Sequence, residues 1–186
     1  MAAPPRTVKL IVINDVVCSY CYIGHYELLA AVDHCKEVLQ LPLTFDIEYR
    51  PYKLYACLGE DAPAKTSRPE WLKAKMGEEA YTRSSINVYQ WFKDRKLPCG
   101  VDDAPVVQST LAHRLSRKAF LMGGSRYQEA LLSAVFKEHM ENSKDISDVD
   151  VLSDIAEDVG MMTKDDVRIR LAPSSPALRS LHLDSC

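Results

Sequence analysis

The spacing of apolar residues changes period twice within the first fifty positions. Residues 7 to 13, Thr7-Val8-Lys9-Leu10-Ile11-Val12-Ile13, form a β-branched apolar run too short for a helix and suited to a strand buried on both faces. After Asn14 and Asp15 the period becomes helical. Cys21, His25, Leu28, Val32, Cys35 and Leu39 recur at alternating threes and fours, which predicts a helix laying one stripe on a sheet. Pro42 closes that helix, and Leu43-Thr44-Phe45-Asp46-Ile47-Glu48-Tyr49 then alternates at period two as a second strand. A strand, a crossover helix and a strand of these lengths predict a right-handed parallel βαβ unit.

From about residue 66 the pattern is almost wholly helical. Ser67 with Glu70, and Ser125 with Gln128, have capping-box spacing, while Pro69 and Pro105 suit first helical turns. Gly77, Gly123-Gly124 and Gly160 read as stops. The apolar faces are Tyr81, Val88 and Phe92; Val107, Leu111 and Leu115; Tyr127, Leu131 and Val135; and Leu152, Ile155 and Val159. Four or five helices are expected. The organisation is therefore a βαβ unit over 1–58, a helical insertion over 59–170, and a tail over 171–186. The stretch from Arg170 onward has Pro and Ser breakers and no period, and it is expected to be disordered.

Composition narrows the classes. The 186 residues are 47% hydrophobic and 26% charged, with a formal net charge of -3. Lys and Arg are scattered among Asp and Glu, without the basic footprint of a nucleic-acid binder. No apolar run approaches the roughly 20 residues of a spanning helix. The N-terminus passes directly into a strand without the basic and apolar regions of a secretory signal, so the expected location is the cytosol.

Six cysteines are present: Cys18, Cys21, Cys35, Cys57, Cys99 and Cys186. In a reducing compartment a disulfide framework is not expected, and only Cys18-Ser19-Tyr20-Cys21 has a spacing with chemical meaning. Two thiols separated by two residues on a first helical turn suit disulfide exchange, in which one sulfur attacks and the other resolves the mixed disulfide. The helix N-terminus stabilises a thiolate, which makes Cys18 the expected nucleophile. Cys21 begins the apolar stripe and is the expected buried resolving thiol. Ser19 and Tyr20 lie between them as residues that tune thiolate stability and contact substrate.

Zinc is the competing use of such a pair. A structural site needs four ligands, and His34 and Cys35 lie about 20 Å farther along the same helix. His25, one turn after Cys21, still leaves the set a ligand short, so no metal is expected. His113 reads as a hydrogen-bonded packing residue, and Asp15 as a helix cap in preference to a proton acceptor. Tyr20, Tyr22, Tyr26, Tyr49, Tyr52 and Tyr55 read as core aromatics, with a substrate groove as the alternative. Cys57 and Cys99 read as small buried hydrophobes, and Cys186 as a thiol exposed in the tail.

The segment Asp15-Val16-Val17-Cys18-Ser19-Tyr20-Cys21-Tyr22-Ile23-Gly24 resembles the active-site segment of DsbA-like thioredoxin proteins of the FrnE type. Glu48-Tyr49-Arg50-Pro51-Tyr52, Ser109-Thr110-Leu111-Ala112-His113-Arg114-Leu115, Ala134-Val135-Phe136-Lys137-Glu138 and Asp150-Val151-Leu152 resemble that family's later elements in order. The resemblance covers roughly residues 7 to 167. It implies an α/β thioredoxin-like fold interrupted by an all-α insertion, and thiol/disulfide oxidoreductase activity on a disulfide or thiol substrate. No bound cofactor is implied, glutathione being a candidate reductant or co-substrate.

Related branches, the kappa-class glutathione transferases and 2-hydroxychromene-2-carboxylate isomerases, generally use a serine-type glutathione site instead of a CxxC. They define a second functional reading, a glutathione-dependent transferase or isomerase. The resemblance also implies two antiparallel strands and a helix after the insertion, opened by a Val-Pro with a cis proline beside the CxxC. No segment here matches them, so the sequence predicts a sheet without its C-terminal ββα half, as in a truncated reading frame or splice form. Such a sheet would expose an apolar edge open to oligomerisation. An inactive helical interaction module is the third reading.

Overall fold

Thr7, Val8, Ile11, Val12 and Ile13 favour extended backbone because branching at Cβ crowds a helix and packs well on a pleated surface. The computed structural model describes residues 6–55 and 67–171, and in it this run is the strand β1 (Arg6–Asn14). The second strand, β2 (Leu43–Pro51), lies parallel to β1 with Leu10 opposite Ile47 and Val12 opposite Tyr49. Between them runs α1 (Ser19–Asp33), which completes the expected βαβ unit.

Both faces of β1 were expected to be buried, and only one is. Val8, Leu10 and Val12 turn towards the protein, whereas Ile11 and Ile13 are 56% and 68% exposed. The reason is that the sheet of the described residues has two strands, and its elements pack on one side of it. The free edge of β2 is treated differently. The Gln128 side chain accepts the Tyr49 N–H and donates to the Tyr49 carbonyl, both at 2.8 Å, so one amide satisfies the backbone groups a third strand would have paired.

The α1 stripe is out of phase with expectation at its far end. His34–Val38 continue the helix as a π turn, with Leu39 N–H donating to the His34 carbonyl at 3.0 Å. One extra residue per turn rotates the following side chains. Leu39 accordingly ends 53% exposed, outside the core predicted for it. Nearer the start, Tyr22 packs against Trp91, Phe92 and Phe136 with ring centroids 5.5–5.7 Å apart, and its hydroxyl donates to Glu141 at 2.6 Å. Each such aromatic fully buried is worth roughly 1.5–3 kcal/mol.

The helical layer consists of α2 (Arg68–Met76), α3 (Glu78–Asp94), α4 (Thr110–Met140), α5 (Val149–Asp158) and α6 (Lys164–Leu171). Gly77 ends α2 and opens α3 at φ 87°, and α4 is broken at Gly123 and Gly124, the latter at φ 64°. Gly160, at φ 68°, follows α5. All three stops fall where the glycines predict them, because a residue without Cβ enters the left-handed region at little steric cost.

Several local expectations fail. Neither Ser67 nor Ser125 caps through its side chain; Ser125 donates to Asp46, and Gln128 is spent on β2. Pro105 lies in an irregular segment ahead of α4, although Val106 and Val107 after it are buried. Tyr127 is 39% exposed, since Gln128 occupies the inward position beside it. Arg170 and Leu171, placed at the start of a disordered tail, are the last turn of α6, with Leu171 buried against the core. The rest of that tail, with Cys186, and also Cys57, lie outside the described residues.

Candidate functional site

The turn from β1 into α1 is buried up to the residue where the helix begins. Asn14, Asp15, Val16 and Val17 are all at most 5% exposed, and Cys18 is the first residue to regain solvent. Cys18 is the N-cap, with its own N–H donating to the Asp15 carbonyl at 3.1 Å and its carbonyl accepting from Tyr22 at 3.1 Å. The first N–H groups of α1 therefore have no intrahelical acceptor, and they lie around the Cys18 sulfur.

Both cysteines are free thiols and both are half-buried, so exposure does not distinguish them as the stripe predicted. Hydrogen bonding does. The Cys21 thiol donates to Cys18, and together with the backbone N–H groups of Cys21 and Tyr20 this outweighs burial and the nearby Asp15 charge, lowering Cys18 from 9.0 to about 6. Cys21 is pushed strongly upward, first by that same hydrogen bond to Cys18 and then by burial, against the opposing Asp15 N–H. Above about pH 6 this direction of shifts favours one proton, on Cys21, and a negative charge on Cys18.

Two polar anchors hold this turn to the helical layer. Asp15 accepts from the Leu54 N–H at 2.5 Å and lies 3.2 Å from His113 Nε2, with both side chains almost fully buried. His113 Nε2 also lies 3.0 Å from the Tyr52 carbonyl. A nitrogen facing two acceptors carries the proton, so Nε2–H donates to both. Burial disfavours the Asp15 carboxylate, but His113, Leu54 and Ser109 outweigh it and its pKa is lowered. The second anchor is Arg68, 3% exposed, which donates to the Val17 carbonyl at 2.6 Å. Behind it, His139 Nδ1 donates to the Lys144 carbonyl at 2.9 Å, leaving Nε2 to accept from Arg68 at 3.4 Å. Burial, with the Arg68 charge second, lowers His139 to about 4.

A parallel βαβ unit, a CxxC at its helix start and a helical layer make up the arrangement. Residues 9–173 match the family described as the DSBA-like thioredoxin domain. The chain belongs to that family. None of the curated protein sequences matches it. Among solved structures it is similar to a probable DsbA oxidoreductase from Streptomyces coelicolor, with a TM-score of 0.70 and 23% identity over 92% of this chain and 72% of that one. It is also similar to a putative protein disulfide isomerase from Nitrosomonas europaea, with a TM-score of 0.55 and 15% identity over 88% of this chain and 70% of that one. At these identities the likeness concerns the fold, a DSBA-like α/β thioredoxin fold with a helical insertion and a small sheet.

Within this DSBA-like domain the residues singled out from sequence divide clearly. Cys18, Ser19, Tyr20 and Cys21 form one turn at the open end of α1, and Tyr20 reaches α3, its hydroxyl donating to the Ser84 carbonyl at 3.3 Å. Cys35 lies in the π turn at the far end of α1, and Cys99 is exposed in the segment after α3, not buried as expected. Of the tyrosines, Tyr22, Tyr49 and Tyr55 are core, while Tyr20, Tyr26 and Tyr52 are exposed. His25 is occupied at both nitrogens, 2.8 Å from Tyr49 and from Ser133, and burial lowers it to about 4. Asp15 does not cap α1; it ties β1 to the exit of β2 and to α4.

Sequence reasoning missed Arg68 altogether, whereas His113 is the buried, hydrogen-bonded packing residue it was read as. For Arg68 there was no signal beyond a cation beside Pro69 at a helix start. Among the described residues no helix is long and apolar enough to cross a membrane.

Proposed function

We propose that the chain is a thiol/disulfide oxidoreductase of the FrnE type in which Cys18 is the nucleophile and Cys21 resolves. The observation that carries this reading is the convergence of the Cys21 thiol and two backbone N–H groups on the Cys18 sulfur, with Cys18 lowered to about 6. At neutral pH the thiolate is the major form of Cys18. Cys18 attacks one sulfur of a substrate disulfide and the other departs as a thiolate. Cys21, losing its proton to solvent, then attacks the Cys18 sulfur and expels the second substrate thiolate. Two electrons pass from the dithiol to the substrate, and a cellular thiol such as glutathione resets the pair. Ser19 and Tyr20, flanked by the two sulfurs, face the substrate. The intact pair favours dithiol exchange over glutathione-dependent transferase or isomerase chemistry.

The test is turnover of a model disulfide by the wild type and by Cys18→Ser and Cys21→Ser variants. Cys18→Ser is expected to abolish turnover, Cys21→Ser to trap a mixed disulfide on Cys18, and mild oxidation to yield a Cys18–Cys21 bridge by mass spectrometry. Full activity in Cys18→Ser would overturn the assignment.

A further inference from the structure

Ser19, the residue next to the nucleophile, also lines a shallow, open surface groove between α2, α3 and the turn at Val101 and Asp102. Its floor is apolar, made by Leu72, Val88 and Val101. Tyr20 bridges from α1 to Ser84 on the same side, so the groove and the redox turn form one continuous surface.

The far end carries a charge. Asp102 accepts from Tyr89 at 2.5 Å through one carboxylate oxygen and from Tyr81 at 3.3 Å through the other. Burial and then the bond to Asp102 raise the Tyr89 phenol well above its ordinary value, which keeps it a donor. Two phenols thus fix the carboxylate without neutralising it. Among the described residues no Lys, Arg or His lies within ion-pair distance of Asp102. The cation over the Tyr81 ring, Lys73, is engaged by Glu78 at 2.9 Å.

We propose that this groove docks a lysine or arginine side chain of a peptide or protein substrate, close to the cysteine that reacts with Cys18. The complementarity is twofold. A long basic side chain has an apolar stem that lies against Leu72 and Met76 and a charged head that reaches Asp102. An apolar residue of the same length would leave the carboxylate without a counter-charge. An acidic one would meet repulsion. The inference rests on the oxidoreductase reading and adds to it a substrate class, disulfides with a basic residue nearby.

The test uses reduced, full-length protein and short peptides whose single cysteine is a mixed disulfide with thionitrobenzoate. Cys18 attacks the peptide sulfur, the aromatic thiolate leaves and is read by absorbance, and Cys21 then releases the peptide. Peptides differ only in carrying lysine, norleucine or glutamate beside the cysteine. The lysine peptide is expected to react about fivefold faster than the norleucine peptide, the scale of one partly exposed ion pair. Asp102→Asn should bring that ratio to about one, Asp102→Lys should favour the glutamate peptide, and Asp103→Asn, a neighbouring exposed carboxylate outside the groove, should keep the wild-type preference. An unchanged ratio in Asp102→Asn, or equal rates for all peptides in the wild type, overturns the docking assignment while leaving the redox reading in place. No thiolate release from any peptide, or the same release in Cys18→Ser, sinks the redox reading and the groove with it.

Discussion

Arg68, at the start of α2, donates to the carbonyl of Val17, one residue before Cys18, at 2.6 Å. This guanidinium ties the helical layer directly to the backbone entering the CxxC turn. It is a buried cation without a carboxylate partner among the described residues, and its Nε has no acceptor. Its cost is offset because it satisfies two buried acceptors, the Val17 carbonyl and the His139 Nε2.

Arg68→Met should therefore lower stability by roughly 1–3 kcal/mol, the scale of a buried carbonyl left unpaired. Urea midpoints of wild type and variant check this. An unchanged midpoint would show that the anchor contributes nothing to stability.

Asp15 gives a pH signature. Its folded pKa lies below the ordinary 3.8, so as acid is added the unfolded chain takes up this proton before the folded chain does. Its contribution is complete above about pH 5 and is lost as pH falls through the lowered value. Wild type should lose stability more steeply than Asp15→Asn over that acidic range. The same variant removes a negative charge that raises Cys18, so iodoacetamide alkylation of Cys18 should show a midpoint shifted below 6.

Redox state should couple to pH in the opposite region. Cys18 ionises near 6 in the folded reduced chain and near 9.0 when unfolded, so between those values the unfolded state holds a proton that the folded state has shed. Stability of the reduced form rises with pH across that window and is lost as pH falls through 6. Cys21, raised by folding from its ordinary 9.0, keeps its proton in both states up to about pH 8 and opposes the gain above that. The bridged form has neither thiol's contribution, so the reduced form should gain on it between about pH 6 and pH 8. Denaturation midpoints that run parallel for the two forms would contradict the assignment of the thiolate.

Gln128 supplies the last prediction. Gln128→Leu leaves the Tyr49 N–H and carbonyl without partners and takes one partner from Ser116, 3.1 Å away. A loss of roughly 2–4 kcal/mol is expected from thermal or urea unfolding. Gln128→Glu keeps the acceptor and loses the donor, so it should fall between the two.

Much of the arrangement is legible in the chain because it depends on short-range chemistry. Branched residues from Thr7 to Ile13, alternation from Leu43 to Tyr49 and the threes and fours after Cys21 determine a βαβ unit. Glycines at 77, 123, 124 and 160 mark breaks in the helices, since backbone preference is local. The CxxC at the start of α1 follows from the same patterns. Tertiary structure alone decided the rest. Whether Ile11 and Ile13 are covered depends on what packs over β1, and whether Gln128 caps a helix or a strand depends on where β2 lies. The difference between Cys18 and Cys21 arises from hydrogen-bond directions around two similarly shielded sulfurs. The anchors Asp15, His113 and Arg68 join positions up to 98 residues apart, and pairings across such separations leave no periodic trace in sequence.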